Sequence, residues 1–391
     1  MKKESVYEPR EDSYLMADQV RKHAQGVVLD MGTGSGYQAE AALQLPHVEK
    51  VIAVDKNPSA VLHCKKTIKK RNLECYRSDL FSAFKGKLAK TQFDTIIFNP
   101  PYLPADKNPQ KDMALIGGKK GFETIEKFLA QAGKHLKPHG IILLLFSNLT
   151  QKHKVEELIK QNGFEAKPLA SSRMFFEELY VYLLRKPEVT QKLEKKGFTH
   201  IAYFDEGDRG IIYTAMHKGT KVAVKVKNPE SEAIDRIHNE GRTLKLVNNH
   251  GLGPKLVLAE SDMTVYEFVE GTFLRDWLEA APKAKIKPVL TDLLKQCRKL
   301  DLLGVSKEEM HRPLKNAIVT KNSKVVLIDF ERTHPSKHPH NVTQLCQFLL
   351  TRQELLKKKG IRLDPQMLIA SAQAYKDNPT DLSFSAIVGM L

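Results

Sequence analysis

Cysteine is scarce in this chain: four in 391 residues, at positions 64, 75, 297 and 346. None stands at the short paired spacing of a zinc site, and four so dispersed make no disulfide framework. The expectation is a reducing, cytoplasmic compartment. Long apolar runs are missing as well. Nothing approaches the roughly 18 residues that a membrane-spanning helix needs, and Lys2-Lys3 is followed by acidic and polar residues rather than by a signal core. There is no internal repeat. Acid is in deficit, since 62 Lys+Arg face 46 Asp+Glu for a formal charge of +16. Residues 1–188 carry 30 basic against 22 acidic residues, and the remainder has the same surplus. That balance suits contact with RNA or a ribosome-associated target. It suits a lysine-rich solvated surface slightly better, because pairs such as Lys65-Lys66, Lys69-Lys70 and Lys119-Lys120 are scattered. His334, His338 and His340 share a loop with Pro335 and Pro339 and read as surface residues rather than metal ligands.

What is present is more specific. Phe93 to Phe98 is an apolar run that reads as a buried strand, and Asn99-Pro100-Pro101-Tyr102 follows it directly. That tetrapeptide suits holding a planar –NH2 group during transfer onto its nitrogen. The Asn99 side-chain oxygen and the Pro100 carbonyl can each accept a hydrogen bond from the group. The prolines set the acceptors in place beforehand, and Tyr102 can stack on the planar target. Two acceptors pulling on the hydrogens favour the pyramidal geometry in which the nitrogen lone pair is free to attack. The donor is read upstream. Val27 to Leu29 forms an apolar strand ending in Asp30, followed by glycines at 32, 34 and 36. A second strand, Val51 to Val54, ends in Asp55, the offset at which an acid meets ribose hydroxyls. Asp79 follows a third expected strand, where an acid could bind an adenine amino group. Nothing in this set demands a pyrophosphate; it suits the ribose, adenine and sulfonium of S-adenosylmethionine.

On these residues, 1–187 resemble a class I S-adenosylmethionine-dependent methyltransferase of the HemK type, with a Rossmann-like α/β fold. Tyr7-Glu8-Pro9 and the stretch Leu115 to Gly121 resemble the archaeal and eukaryotic branch, which methylates the glutamine of the Gly-Gly-Gln loop in class I release factors. That branch lacks the amino-terminal substrate-binding domain of its bacterial relatives, and this chain likewise begins almost at once with the Tyr-Glu-Pro segment. The resemblance implies that Asp30, Gly32, Gly34, Asp55 and Asp79 line the cofactor site, with Glu8 and Pro9 at its border. It implies that Asn99, Pro100 and Tyr102 hold the glutamine amide, and that a small zinc-binding activator subunit commonly assists. The alternative acceptor is the amino group of adenine in RNA or DNA, held by the same clamp after base flipping, with the second half then acting to recruit the substrate.

Length predicts two domains, and Arg185-Lys186-Pro187 after an apolar strand marks the expected boundary, with the second domain over 188–391. There Gly207 and Gly210 lie in a turn between expected strands. Lys225 sits in an alternating strand, and Glu240 lies in a helical segment. Asn316 precedes a strand pair ending in Asp329-Phe330-Glu331. This order resembles the small kinase-like proteins of archaea, akin to the RIO and Bud families, and implies an α+β kinase-like domain. The resemblance implies that Gly207, Gly210, Lys225 and Glu240 hold ATP, while Asn316 and Asp329 hold magnesium. The pattern breaks where kinases place a catalytic Asp. Either Glu309 or His311 fills that role, or neither does and the domain binds nucleotide without transferring phosphate.

Overall fold

The computed structural model describes residues 6–105, 116–174, 177–207, 210–227 and 236–391. It divides into two compact units, Met1–Tyr203 and Phe204–Leu391. Among the described residues no helix is long and apolar enough to cross a membrane.

In the first unit α1 (Glu11–His23) precedes β1 (Gly26–Met31), α2 (Tyr37–Leu43), β2 (Val48–Asp55), α3 (Pro58–Thr67) and β3 (Leu73–Arg77). Then come β4 (Phe93–Phe98), the two short strands β5 (Leu103–Pro104) and β6 (Ile116–Gly118), α4 (Glu123–His135) and β7 (Leu136–Ser147). Next are α5 (Lys152–Gln161), β8 (Glu165–Arg173), β9 (Glu178–Arg185) and α6 (Glu188–Lys195). Seven strands form one sheet in the order β3-β2-β1-β4-β7-β9-β8. It is parallel from β3 to β7 and antiparallel where β9 pairs with β7 and β8. Side chains alternate between its faces. Leu29, Ile96, Phe98 and Phe146 join one buried cluster with Phe128 of α4, while Val28, Ile97 and Leu143 join another with Met16 of α1 and Ala39 of α2. Apolar runs without polar alternation therefore become strands covered on both sides.

This topology places the site. Chain order reverses at β1, whose neighbours are β2 and β4, and ligands of open α/β sheets bind at the carboxyl ends of the strands at such a point. The register pairs Asp30 with Ile97 and Met31 with Phe98. The glycine turn after β1 and the Asn99 turn after β4 thus leave the sheet side by side.

β10 (Thr199–Glu206) spans the boundary at Tyr203, and the second unit carries β11 (Gly210–His217), β12 (Thr220–Lys227), β14 (Met263–Glu267) and β13 (Leu256–Ala259), neighbours in the order β11-β12-β14-β13. Helix α7 (Arg236–Asn248) lies between β12 and β13 in the chain. A mainly helical part follows: β15 (Thr272–Phe273), α8 (Leu274–Ala280), α9 (Lys283–Leu302), β16 (Val305–Lys307), β17 (Ala317–Val319), β18 (Val325–Leu327) and β19 (Thr333–Pro335). The chain ends with α10 (Asn341–Thr351), α11 (Gln353–Lys358), α12 (Pro365–Asp377) and α13 (Asp381–Gly389). Leu290, Leu293, Leu294 and Cys297 of α9 bury an apolar stripe against Leu327, Phe330, Leu345 and Leu349.

Candidate active site

The turn after β1 is held from below. Asp30 is 1 % exposed, and its Oδ2 accepts from Thr33 Oγ1 at 2.6 Å and from the Ala39 amide at 3.1 Å. Burial pushes its carboxyl up to about 6, against the pull of those two donors. Asp30 therefore ties the turn to α2 rather than facing the crevice. Asp55 braces the same turn from β2: one oxygen accepts from the Gly34 amide at 2.9 Å, the other from the Asn57 amide at 2.8 Å. Gly32 is exposed in the left-handed region at φ +72, and a Cβ built there would meet nothing within 4 Å. That open backbone suits close approach of an adenosyl ligand. Asp79 is exposed just beyond β3, at the neighbouring strand end. Glu8 is exposed and Pro9 half-buried, while Tyr7 lies over Gly34, the nearest atom to a Cβ at Gly34 being Tyr7 Cβ at 3.8 Å.

The Asn99 amide is fixed by a residue that sequence reading did not single out. Asp12, on the first turn of α1, is 4 % exposed. Its Oδ2 accepts from Asn99 Nδ2 at 2.8 Å and its Oδ1 accepts from the Tyr7 hydroxyl at 3.0 Å. With Nδ2 so committed, Asn99 Oδ1 is left buried and without a hydrogen-bond partner among the described residues. An unpaired buried acceptor costs stability, which an incoming hydrogen-bond donor recovers. Burial, and then the charge of Asp12, push the phenols of Tyr7 and Tyr102 above their usual range.

Pro100 is buried, and Tyr102 is 6 % exposed in the apolar layer, so its ring offers a wall to the crevice rather than an open stacking face. The stretch 116–121 braces this loop. A Cβ at Gly117 would lie 2.4 Å from the Pro101 carbonyl oxygen, one at Gly121 would lie 2.6 Å from that of Tyr102, and Thr150 Oγ1 donates to the Tyr102 carbonyl at 3.2 Å. Leu115, part of the same motif, lies outside the described residues.

A family profile for the methyltransferase small domain matches residues 9–168. A putative protein N5-glutamine methyltransferase of Methanocaldococcus jannaschii is 35% identical over 182 residues, covering 45% of this chain and 89% of that protein. This chain is a member of that methyltransferase family. The release factor glutamine methyltransferase of Geobacter sulfurreducens is 30% identical over 176 residues, and there the chain spans 59% of the relative's length. Among solved structures, the E. cuniculi Mtq2–Trm112 complex, described as responsible for methylating the eRF1 translation termination factor, aligns with a TM-score of 0.37 at 24% identity. It covers 46% of this chain and 98% of that one. For a methyltransferase of this kind the donor is S-adenosylmethionine, and the residues at hand fit it: an open glycine turn and an acid beside it at Asp55.

The second unit gathers most of its candidates into one cluster. Lys225 Nζ lies 3.1 Å from Glu240, 2.9 Å from Asp329 and 3.1 Å from Glu331. Despite its burial, those carboxylates hold the ammonium well above its ordinary range. Gly210 packs on the lysine stem, with Lys225 Cε 3.6 Å from a Cβ built there, and the Gly207 amide donates to the Gly210 carbonyl at 3.0 Å. The Asn316 carbonyl accepts from the Ile328 amide at 2.9 Å, which brings Asn316 beside Asp329. Glu309 accepts from Asn316 Nδ2 at 3.3 Å and pairs with Arg332, whereas His311 is exposed. Glu309 and Asp329 both adopt left-handed backbone, at φ +70 and φ +60. Lys307, unnoticed in the sequence, is 2 % exposed with its ammonium donating to the Asp329 carbonyl, and burial holds it below its ordinary range.

Proposed function

We propose that the first unit transfers a methyl group from S-adenosylmethionine to the side-chain amide nitrogen of a protein glutamine, the Gly-Gly-Gln glutamine of a class I release factor. The observation that carries this reading is Asn99, anchored through Nδ2 on Asp12 with Oδ1 buried and unpaired. A primary amide presents two hydrogens in a plane; Asn99 Oδ1 and the Pro100 carbonyl accept them. The pull draws the nitrogen from conjugation and frees its lone pair. When bound, the cofactor supplies an electrophilic methyl on a sulfonium. The chain supplies position and acceptors set in advance, and the spent proton leaves to water. Adenine would present the same –NH2 geometry. Glutamine is preferred because relatives on both the archaeal and bacterial sides are named as glutamine methyltransferases. The test is mass spectrometry of a release factor and of an adenine-containing oligonucleotide, each incubated with protein and cofactor. Methylation of the Gly-Gly-Gln peptide supports the reading, and label in the oligonucleotide alone defeats it. Adding a small zinc-binding activator subunit to the same assay reads whether one is required.

For the second unit we infer an ATP–magnesium site of kinase-like type. It is supported by the pairing of Lys225 with Glu240 and Asp329 and by the adjacency of Asn316 and Asp329. Glu309, bonded to Asn316, is then the better placed of the two candidates for the substrate-orienting role. Phosphate release from ATP, lost on Asp329→Ala, tests it. ATP binding without turnover would make this unit a binding module.

A further inference from the structure

The two cysteines of the first unit are brought together although they stand eleven positions apart in the chain. Cys64 on α3 and Cys75 on β3 lie with their sulfurs 3.6 Å apart. They are not in equivalent surroundings. Cys64 is 0 % exposed and faces the cofactor turn: Thr33 Oγ1 lies 3.9 Å from its sulfur, and a Cβ on Gly36 would sit 3.2 Å from it. Cys75, 5 % exposed on the edge strand of the sheet, borders a surface cleft of about 570 Å³ together with Lys65, Lys69, Lys70, Arg71 and Glu74. Cys75 thus borders a mainly basic cleft, and Cys64 stands directly behind it. This is the setting of a reactive thiol with a resolving partner.

We propose that Cys75 and Cys64 form a reversible thiol–disulfide pair, oxidised by hydroperoxides through the cleft, which weakens binding of S-adenosylmethionine at the adjoining glycine turn. The contact with Cys64, joined by the charge of Lys65, holds the Cys75 thiol below its usual range against burial, while the same contact and burial hold Cys64 above it. The Cys75 thiolate attacks one oxygen of the hydroperoxide. The O–O bond breaks, the departing alkoxide or hydroxide takes up a proton, and Cys75 becomes a sulfenic acid, oxidised by two electrons. The Cys64 sulfur then gives up its proton and attacks the Cys75 sulfur. The S–O bond breaks, water leaves, and the S–S bond forms. A dithiol reverses the reaction. Closing the sulfurs from 3.6 Å to about 2.05 Å draws Cys64 away from Thr33 and Gly36, which floor the cofactor turn. Cys297 and Cys346 are internal controls: burial raises Cys297 well above its range and pushes Cys346 up to about 12.

The coupling to cofactor rests on the first unit's being a methyltransferase, so the test reads binding rather than transfer to any acceptor. The full chain is treated with hydrogen peroxide and alkylated, and its peptides are mapped without reductant, while S-adenosylmethionine binding is followed by calorimetry before and after treatment. The expected result is a linked Cys64–Cys75 peptide lighter by two hydrogens, free Cys297 and Cys346, and affinity about tenfold lower and restored by dithiol. Cys75→Ala is expected to bind like the reduced protein and to ignore peroxide. Failure of that peptide to form, or its formation with affinity unchanged, overturns the proposal. Failure of the reduced protein to bind S-adenosylmethionine would instead count against the methyltransferase reading.

Discussion

At the scale of single residues, Asp12 decides which way the Asn99 amide faces. An amide can present either its oxygen or its nitrogen to a substrate, and only the oxygen serves as acceptor. Asp12→Ala removes the anchor and is expected to lower kcat roughly 10²-fold, the usual effect of losing one group set in advance for the transition state, with cofactor affinity unchanged. Asp12→Asn, whose own oxygen still accepts from Nδ2, is expected to recover most of the rate. Equal rates in all three proteins would refute the positioning role. Asp30 carries a prediction about pH. Its folded value of about 6 exceeds its ordinary 3.8, so the native state holds that proton more tightly than the unfolded chain. The associated stability is full below about pH 4 and is lost as pH rises through about 6. Urea midpoints across that window are expected to fall with rising pH, and to fall less steeply in Asp30→Asn. Neither role could be read from the sequence alone. The Asp12–Asn99 bond spans 87 residues, and the inward turn of Asp30 depends on Thr33 and Ala39 closing over it.

At the scale of elements, the strands were legible where apolar runs are unbroken. The expectations at Val27–Leu29, Val51–Val54 and Phe93–Phe98, and the apolar strand expected before Arg185, all fall on observed strands, because a strand covered on both faces needs no polar alternation. The short strands β5, β6, β15, β16 and β19 carry too few residues for any period to show. The contact of Cys64 with Cys75 was illegible for another reason: it is made between a helix and an edge strand, and spacing along the chain says nothing of it. The bracing of the Asn99 loop by residues 116–121 is an element-level claim. A Cβ at Gly117 would stand 2.3 Å from the Gly121 carbonyl oxygen and 2.4 Å from that of Pro101, so the loop must move to admit it. Gly117→Ala is therefore expected to cut kcat at least about tenfold through a misplaced Pro100 carbonyl, while the calorimetric affinity for S-adenosylmethionine stays within about twofold. Loss of affinity in step with rate would show that the damage reaches the cofactor turn.

At the scale of the whole molecule, two units carry two separate sets of polar groups, one around Asn99 and one around Lys225. If the second set holds ATP with magnesium, the ligand must stabilise the fold by mass action, by about 2.7 kcal/mol at a hundredfold excess over Kd. A raised unfolding temperature with ATP and magnesium, lost in Asp329→Ala but leaving methyl transfer intact, is the expected outcome. No shift in the unaltered protein would count against the nucleotide site. The excess positive charge of the chain predicts little by itself, since it is spread over both halves. The central claim is that the acceptor left open at Asn99 Oδ1 holds a glutamine amide. Its most direct measurement is intact-peptide mass spectrometry of a release factor incubated with the full chain and S-adenosylmethionine, beside Asn99→Ala. One added methyl on the Gly-Gly-Gln glutamine, reduced at least 10²-fold in Asn99→Ala, is the predicted result. An unmodified glutamine, or equal methylation by both proteins, would contradict it.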